Sequence, residues 1–192
     1  MKKSIKIGNR LISENSPCYI VAEMSGNHNM DFNRAKEIIY RAYKAGADAV
    51  KIQTYTADTI TLDCDNEYFQ IKHGTLWDGD TLYSLYQKAY TPWEWQHELF
   101  IYAKELGVEL FSSPFDPSSV EFLENIGVQA YKVASFEIND IPLLRKIART
   151  GKPIIIATGI AELADIERAV KTCTEEGNEQ IILLKCTSAY PT

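Results

Sequence analysis

Four stretches decide the fold: Ala45–Gln53 (AGADAVKIQ), Leu106–Ser113 (LGVELFSS), Ile126–Ser135 (IGVQAYKVAS) and Thr150–Thr158 (TGKPIIIAT). Each closes a helical pattern, breaks at a glycine, and resumes as a short run of apolar residues. Glycine stops a helix because it takes the left-handed conformation without a steric penalty. The runs that follow are apolar almost throughout and do not alternate, as strands buried on both faces require. Tyr19–Glu23 (YIVAE) and Gln180–Cys186 (QIILLKC) have the same character and bring the strands to six.

Helical patterns fill the gaps. Asp31–Ala45 puts Phe32, Ala35, Ile38, Ile39, Ala42 and Tyr43 on one face. Pro92–Leu106 follows Thr91, read as its N-cap, with proline at the first helical position. Pro117–Ile126, Ile141–Thr150 and Leu163–Glu176 complete the set. Such βα repeats build either an open doubly wound sheet or a barrel. The open sheet advertises its ligand with a glycine-rich first turn, but here the first strand runs into Ala22–Asn29 (AEMSGNHN), which is no G-x-G-x-x-G. Polar and ionisable residues stand instead at the ends of at least five strands, the distribution a barrel produces. The expected fold is α/β, a (β/α)8 TIM barrel truncated after about six strands. Its 192 residues fall short of the roughly 250 such a barrel takes, and six parallel strands would not close with normal shear.

The connection Tyr55–Thr91 is long for a compact domain and rich in aromatic residues, among them Tyr68, Phe69, Trp77, Tyr83, Tyr86 and Tyr90. Loops of this length serve as lids or substrate walls, or cover a small satellite cluster. Within it Thr81–Lys88 has a helical pattern.

Lysine and arginine total 20 against 26 aspartate and glutamate, a net charge of −6, so the chain lacks the basic stripe a nucleic-acid surface needs. No apolar stretch reaches membrane-spanning length, and Met1–Ile12 has no signal-peptide core. Cys18, Cys64, Cys173 and Cys186 are scattered without metal or disulfide spacing. These features predict a cytoplasmic location with no nucleic-acid or membrane partner.

The strand ends present Glu23, Lys51, Gln53, Ser112, Ser113, Lys132, Ser135, Glu137, Thr158, Lys185 and Thr187. Lys51 and Lys132 lie inside otherwise apolar strands, and a buried ammonium needs an anion. Either lysine could pair with Glu23 or Glu137 in a purely structural bridge. Two lysines on separate strands, each near serines, favour a bound phosphate or carboxylate, with Ser113 and Ser135 as neutral donors. His28 is read as a metal ligand, a proton carrier or a hydrogen-bonded loop residue, and His73 and His97 as incidental. No two histidines have metal-ligand spacing.

In order, YIVAEMSGNHN, GADAVKIQTYT, FSSPFD, AYKVASFEIND, GKPIIIATGI and LLKCTSAYPT resemble the sialic acid synthase (NeuB-like) family over essentially the whole chain. Leu76–Trp95 (LWDGDTLYSLYQKAYTPWEW) is most similar to its pseudaminic acid synthase branch. The resemblance implies condensation of phosphoenolpyruvate with an open-chain 2,4-diacetamido-2,4,6-trideoxy-altrose, giving pseudaminic acid and phosphate. It implies that Lys51, Ser113, Lys132 and Ser135 hold phosphoenolpyruvate and that Glu23, Lys132 and Tyr190 act at the reacting centre. Asn27, Gln53, Glu137 and Tyr190 would meet the sugar. Relatives often have serine where this chain has Ala157, one hydrogen bond fewer to the anion. The cofactor implied is a divalent metal, Mn2+ or Mg2+, with its main ligands beyond residue 192; none is assigned within the chain. Residues 1–192 would be the incomplete barrel of a homodimeric full-length protein whose C-terminal antifreeze-like domain is absent, and inactive alone. Competing readings are an N-acetylneuraminate or legionaminate synthase, an aldolase using Lys132 as a Schiff base, and a non-catalytic fragment or binding module.

Overall fold

The computed structural model describes residues 4–72, 74 and 77–187. An antiparallel hairpin, β1 (Ser4–Ile7) and β2 (Arg10–Ser13), precedes a parallel sheet of β3 (Val21–Glu23), β4 (Ala49–Thr54), β5 (Glu109–Pro114), β6 (Tyr131–Val133), β7 (Ile154–Ala157) and β8 (Ile181–Leu184). The strands neighbour one another in sequence order. A doubly wound sheet would reverse its order at a switch point. This sheet never does, and its six strands form the wall of a (β/α)8 barrel truncated at that count.

The helices α1 (Phe32–Lys44), α4 (Trp93–Leu106), α5 (Pro117–Ile126), α6 (Ile141–Ala148) and α7 (Leu163–Glu175) link successive strands, and α2 (Ala57–Ile60) and α3 (Leu82–Ala89) lie in the long connection after β4. Asp31, Asp116 and Asp140 cap α1, α5 and α6 by accepting backbone N–H bonds. Gly107 and Gly127 end α4 and α5 at φ of 82° and 81°, the left-handed stop expected from their motifs. Thr91 does not cap α4. Pro92 holds that position without a side-chain bond, because the Thr91 hydroxyl is engaged by His28.

Side-chain parity divides the strands between two layers. Val50, Ile52 and Leu110 pack outward with Ile39 and Leu99 of α1 and α4. Tyr131, Val133, Ile154, Ile156 and Ile181 pack outward with Leu123, Leu143, Leu144, Ile147 and Cys173. The opposite parity turns inward, where Ala49, Phe111, Ala130 and Ile155 cluster with Ile5 and Ile7. The hairpin is thus the floor of the barrel, closing the N-terminal ends of the strands. Its signal in the sequence is the alternation of Ile5 and Ile7 ahead of Gly8-Asn9, where Gly8 takes a φ of +54°. Among the described residues no helix is long and apolar enough to cross a membrane, and all four cysteines are free.

Ile7 is 1% exposed, whereas Leu11 on the same hairpin is 54% exposed. Ile7→Ala is expected to cost about 2–4 kcal/mol in urea denaturation, and Leu11→Ala less than about 0.5 kcal/mol. Equal effects would mean that the hairpin does not seal the floor.

Candidate active site

Parallel register places Glu23 beside Lys51, Gln53 beside Ser113, and Lys132 beside Ile155. Lys51 is also paired across to Phe111 of the inner layer. Both lysine stems therefore rise from the apolar floor, with their ammonium groups toward the C-terminal ends of the strands. Lys51 forms an ion pair with Glu23; their side chains are 12% and 42% exposed. Glu23 also accepts the Ser25 N–H at 3.0 Å, and the Ser25 hydroxyl donates to Gln53 at 3.4 Å. Ser25 holds a φ of 49° in this turn, a conformation unusual outside glycine.

Lys132 has no carboxylate within ion-pair distance among the described residues. Burial, and then the charge of Lys51, pull its ammonium down from 10.5 to about 8. Glu23, Cys186 and Glu137 act in the other direction but do not offset this. The bridge expected as a structural alternative is therefore present at Lys51 and missing at Lys132. Two buried polar atoms of the same region lack a hydrogen-bond partner: Ser113 Oγ and Glu137 Oε2. Ser135 opens a short 3-10 helix, Ser135–Asn139, and its hydroxyl accepts the Gly159 N–H at 3.2 Å. Burial raises the Glu137 carboxyl above its usual range, with Lys132 opposing.

An under-compensated ammonium and an unpartnered hydroxyl in one lumen are two groups that an anion would satisfy. A phosphate or carboxylate would neutralise Lys132 and accept from Ser113 at once. Among the described residues no three His, Cys, Asp or Glu side chains converge to hold a metal, so these residues do not by themselves fit the expected cation.

Glu23, Lys51, Gln53, Ser113, Lys132, Ser135 and Glu137 all lie at this end of the barrel, whereas Tyr190 and His73 lie outside the described residues. Asn27 sits in the turn after β3, donating to Met24 O at 3.0 Å. Ser112 has the opposite parity to Ser113 and bonds Thr54 at 2.6 Å in the helix layer. Thr158 donates to Leu184 O at 2.9 Å, tying β7 to β8. His28 is fully buried. Its Nδ1 accepts the Met30 N–H at 3.1 Å, which leaves Nε2–H to donate to Thr91 at 3.2 Å. Both nitrogens are occupied and burial lowers its pKa, so His28 is the hydrogen-bonded loop residue. His97 borders a cavity of 470 Å³ near the floor with Ile7, Arg10 and Tyr19. Sequence reading missed Ser25, whose one signal was its place two residues past Glu23, and it named Tyr86 only among the aromatics of the long connection, with no role for Phe115.

The sequence pattern of the NeuB family matches residues 38–192. The chain is 50% identical over 175 residues to the pseudaminic acid synthase of Helicobacter pylori, covering 91% of this chain and 51% of that protein. It is 36% identical over 178 residues to the N,N'-diacetyllegionaminic acid synthase of Legionella pneumophila, covering 91% and 50%. The crystal structure of N-acetylneuraminic acid synthetase from Leptospira borgpetersenii, in complex with citrate, superposes with a TM-score of 0.83 at 31% identity, over 98% of this chain and 61% of that one. The chain spans about half the length of the curated relatives it matches.

The depressed Lys132 ammonium has a thermodynamic consequence. Between about 8 and 10.5 the unfolded chain binds the proton that the folded chain has released, so stability rises with pH across that window. Below it both states are protonated and the full burial penalty remains. Lys132→Met is expected to melt several degrees higher than the parent at pH 7, with the difference shrinking between pH 8 and 10.5. Inorganic phosphate should raise the melting temperature of the parent and not of the variant. A constant difference across pH would show that Lys132 is not the strained ammonium.

Proposed function

The chain belongs to the NeuB family, and from that premise we propose that it carries the phosphoenolpyruvate-binding part of a pseudaminic acid synthase. The observation that carries the reading is the under-compensated Lys132 beside Lys51 and the unpartnered Ser113 hydroxyl. Phosphoenolpyruvate has two anionic ends, and two ammonium groups with intervening hydroxyls match that charge pattern. The identity to pseudaminic acid synthase, higher than to the legionaminic enzyme, supports the branch.

In the proposed reaction C3 of phosphoenolpyruvate attacks the aldehyde carbon of 2,4-diacetamido-2,4,6-trideoxy-altrose with its enol π electrons. The aldehyde oxygen takes a proton and becomes a hydroxyl. Water adds at C2 and loses a proton, and the hemiketal phosphate collapses by C–O cleavage to the nine-carbon 2-keto acid and phosphate. Lys51, Lys132, Ser113 and Ser135 hold the phosphoenolpyruvate. The anion competes with Glu23 for Lys51, so binding frees the Glu23 carboxylate to take the proton from water. Asn27, Gln53, Glu137 and Tyr190 orient the sugar. A divalent cation, manganese or magnesium, supplies Lewis-acid polarisation when bound; its ligands are proposed to lie beyond residue 192, and no step is assigned to it. The full-length protein is proposed to be a cytoplasmic homodimer with a C-terminal antifreeze-like domain.

Phosphate release from phosphoenolpyruvate, with manganese and the trideoxy-altrose, is expected from the full-length polypeptide and not from residues 1–192 alone. In the active form Ser113→Ala should raise KM for phosphoenolpyruvate about tenfold, and Lys132→Ala should lower kcat/KM at least about a hundredfold. Equal turnover of an N-acetylneuraminate or legionaminate precursor would move the protein to that branch. No release with any sugar would favour a binding module.

A further inference from the structure

Tyr55 is the first residue beyond β4 and Phe115 the first beyond β5, so both stand at the mouth of the barrel. Their rings meet edge to face with centroids 5.4 Å apart, and Tyr86 of α3 packs on Tyr55 in the same manner at 5.5 Å. Tyr55 is buried and Tyr86 half-buried. Three rings from three separate segments thus form one continuous surface, with Tyr86 as its outer member. Burial raises the Tyr86 phenol above its usual range, and the charge of Glu137 adds to this. Glu137 belongs to the strand-end region that also holds Lys132, and its Oε2 is buried without a hydrogen-bond partner.

The segment bearing Tyr86 is fixed to the barrel. Thr81 and Ser84 form a reciprocal cap on α3. Tyr83 donates to Asp58 at 2.8 Å, Lys88 pairs with Asp80 at 2.9 Å, and Trp93 Nε1 donates to Tyr55 O at 3.1 Å. At the end of α3, Ala89 lies so close to Gly26 that a Cβ on Gly26 would come within 2.9 Å of the Ala89 carbonyl oxygen. The turn carrying Asn27 is therefore packed against α3, and the wall is anchored to it.

We propose that Tyr86, backed by Tyr55 and Phe115, is the residue that selects the terminal carbon of the sugar chain. The inference rests on the synthase reading above. A rigid aromatic face accepts a methyl group and offers no partner to a hydroxyl in the same place. The phenol and the neighbouring Glu137 carboxyl meet the polar groups one or two carbons further in. The sugar class favoured is one that ends in a methyl group, with a hydroxyl on the next carbon and an amide on the one after, over the same skeleton ending in hydroxymethyl or a glycerol tail.

The test compares kcat/KM of the full-length protein for 2,4-diacetamido-2,4,6-trideoxy-altrose and its 6-hydroxy counterpart, with phosphoenolpyruvate saturating. The unaltered protein is expected to favour the methyl sugar by about tenfold or more. Tyr86→Leu should bring the ratio near one, mainly by raising KM for the methyl sugar, with KM for phosphoenolpyruvate unchanged. Tyr86→Phe, which keeps the ring, should restore the ratio. Turnover with an unchanged ratio in Tyr86→Leu, or an equal rise in KM for phosphoenolpyruvate, overturns the assignment of Tyr86 alone. If the unaltered protein turns over neither sugar, the synthase reading fails and this inference with it.

Discussion

In a parallel strand covered by helices on one side, every second side chain must be accommodated in the barrel interior, and at Lys51 and Lys132 that side chain ends in an ammonium. Much else in the upper half of the barrel answers to this constraint. Glu23 offsets one charge, and Ser25 in a strained turn donates its backbone N–H to that same carboxylate. The second charge is left under-compensated, and the Ser113 hydroxyl is left without a partner. A fully satisfied interior would be more stable but would offer an incoming anion nothing to improve upon.

The same alternation sets how much was legible in the sequence. Helix stops at Gly107 and Gly127, apolar strands without alternation, and six strands in chain order are consequences of local patterns, and the structure follows them. Lys51 and Lys132 stood out because charge inside an apolar run is a local anomaly. Ser112 and Ser113 could not be told apart that way. Which of two adjacent serines turns inward depends on the pairing of β5 with β4, and the register gives the lumen to Ser113. Thr91 fails as a cap for a related reason: a tertiary partner, His28, took the hydroxyl that local chemistry would have used. The hairpin was hidden by its shortness, since four-residue strands carry little periodic signal.

The long connection after β4 is the part of the chain whose role is least dictated by the barrel. Its α2 and α3 do not link one strand to the next in the βα repeat, yet contacts to Asp58, Tyr55 and Gly26 hold α3 in place. A wall set apart from the βα repeat can change in sequence without rebuilding the strands beneath it.

The floor has a bearing on how the molecule comes to be made. Its hairpin is the first described structure to leave the ribosome, and a two-residue turn closes within microseconds. Ile5 and Ile7, however, pack against Phe111, Ala130 and Ile155, which are synthesised much later. At ordinary translation rates the nascent hairpin waits on the order of ten seconds for its last partner, with an oily face that a chaperone could shield in the meantime.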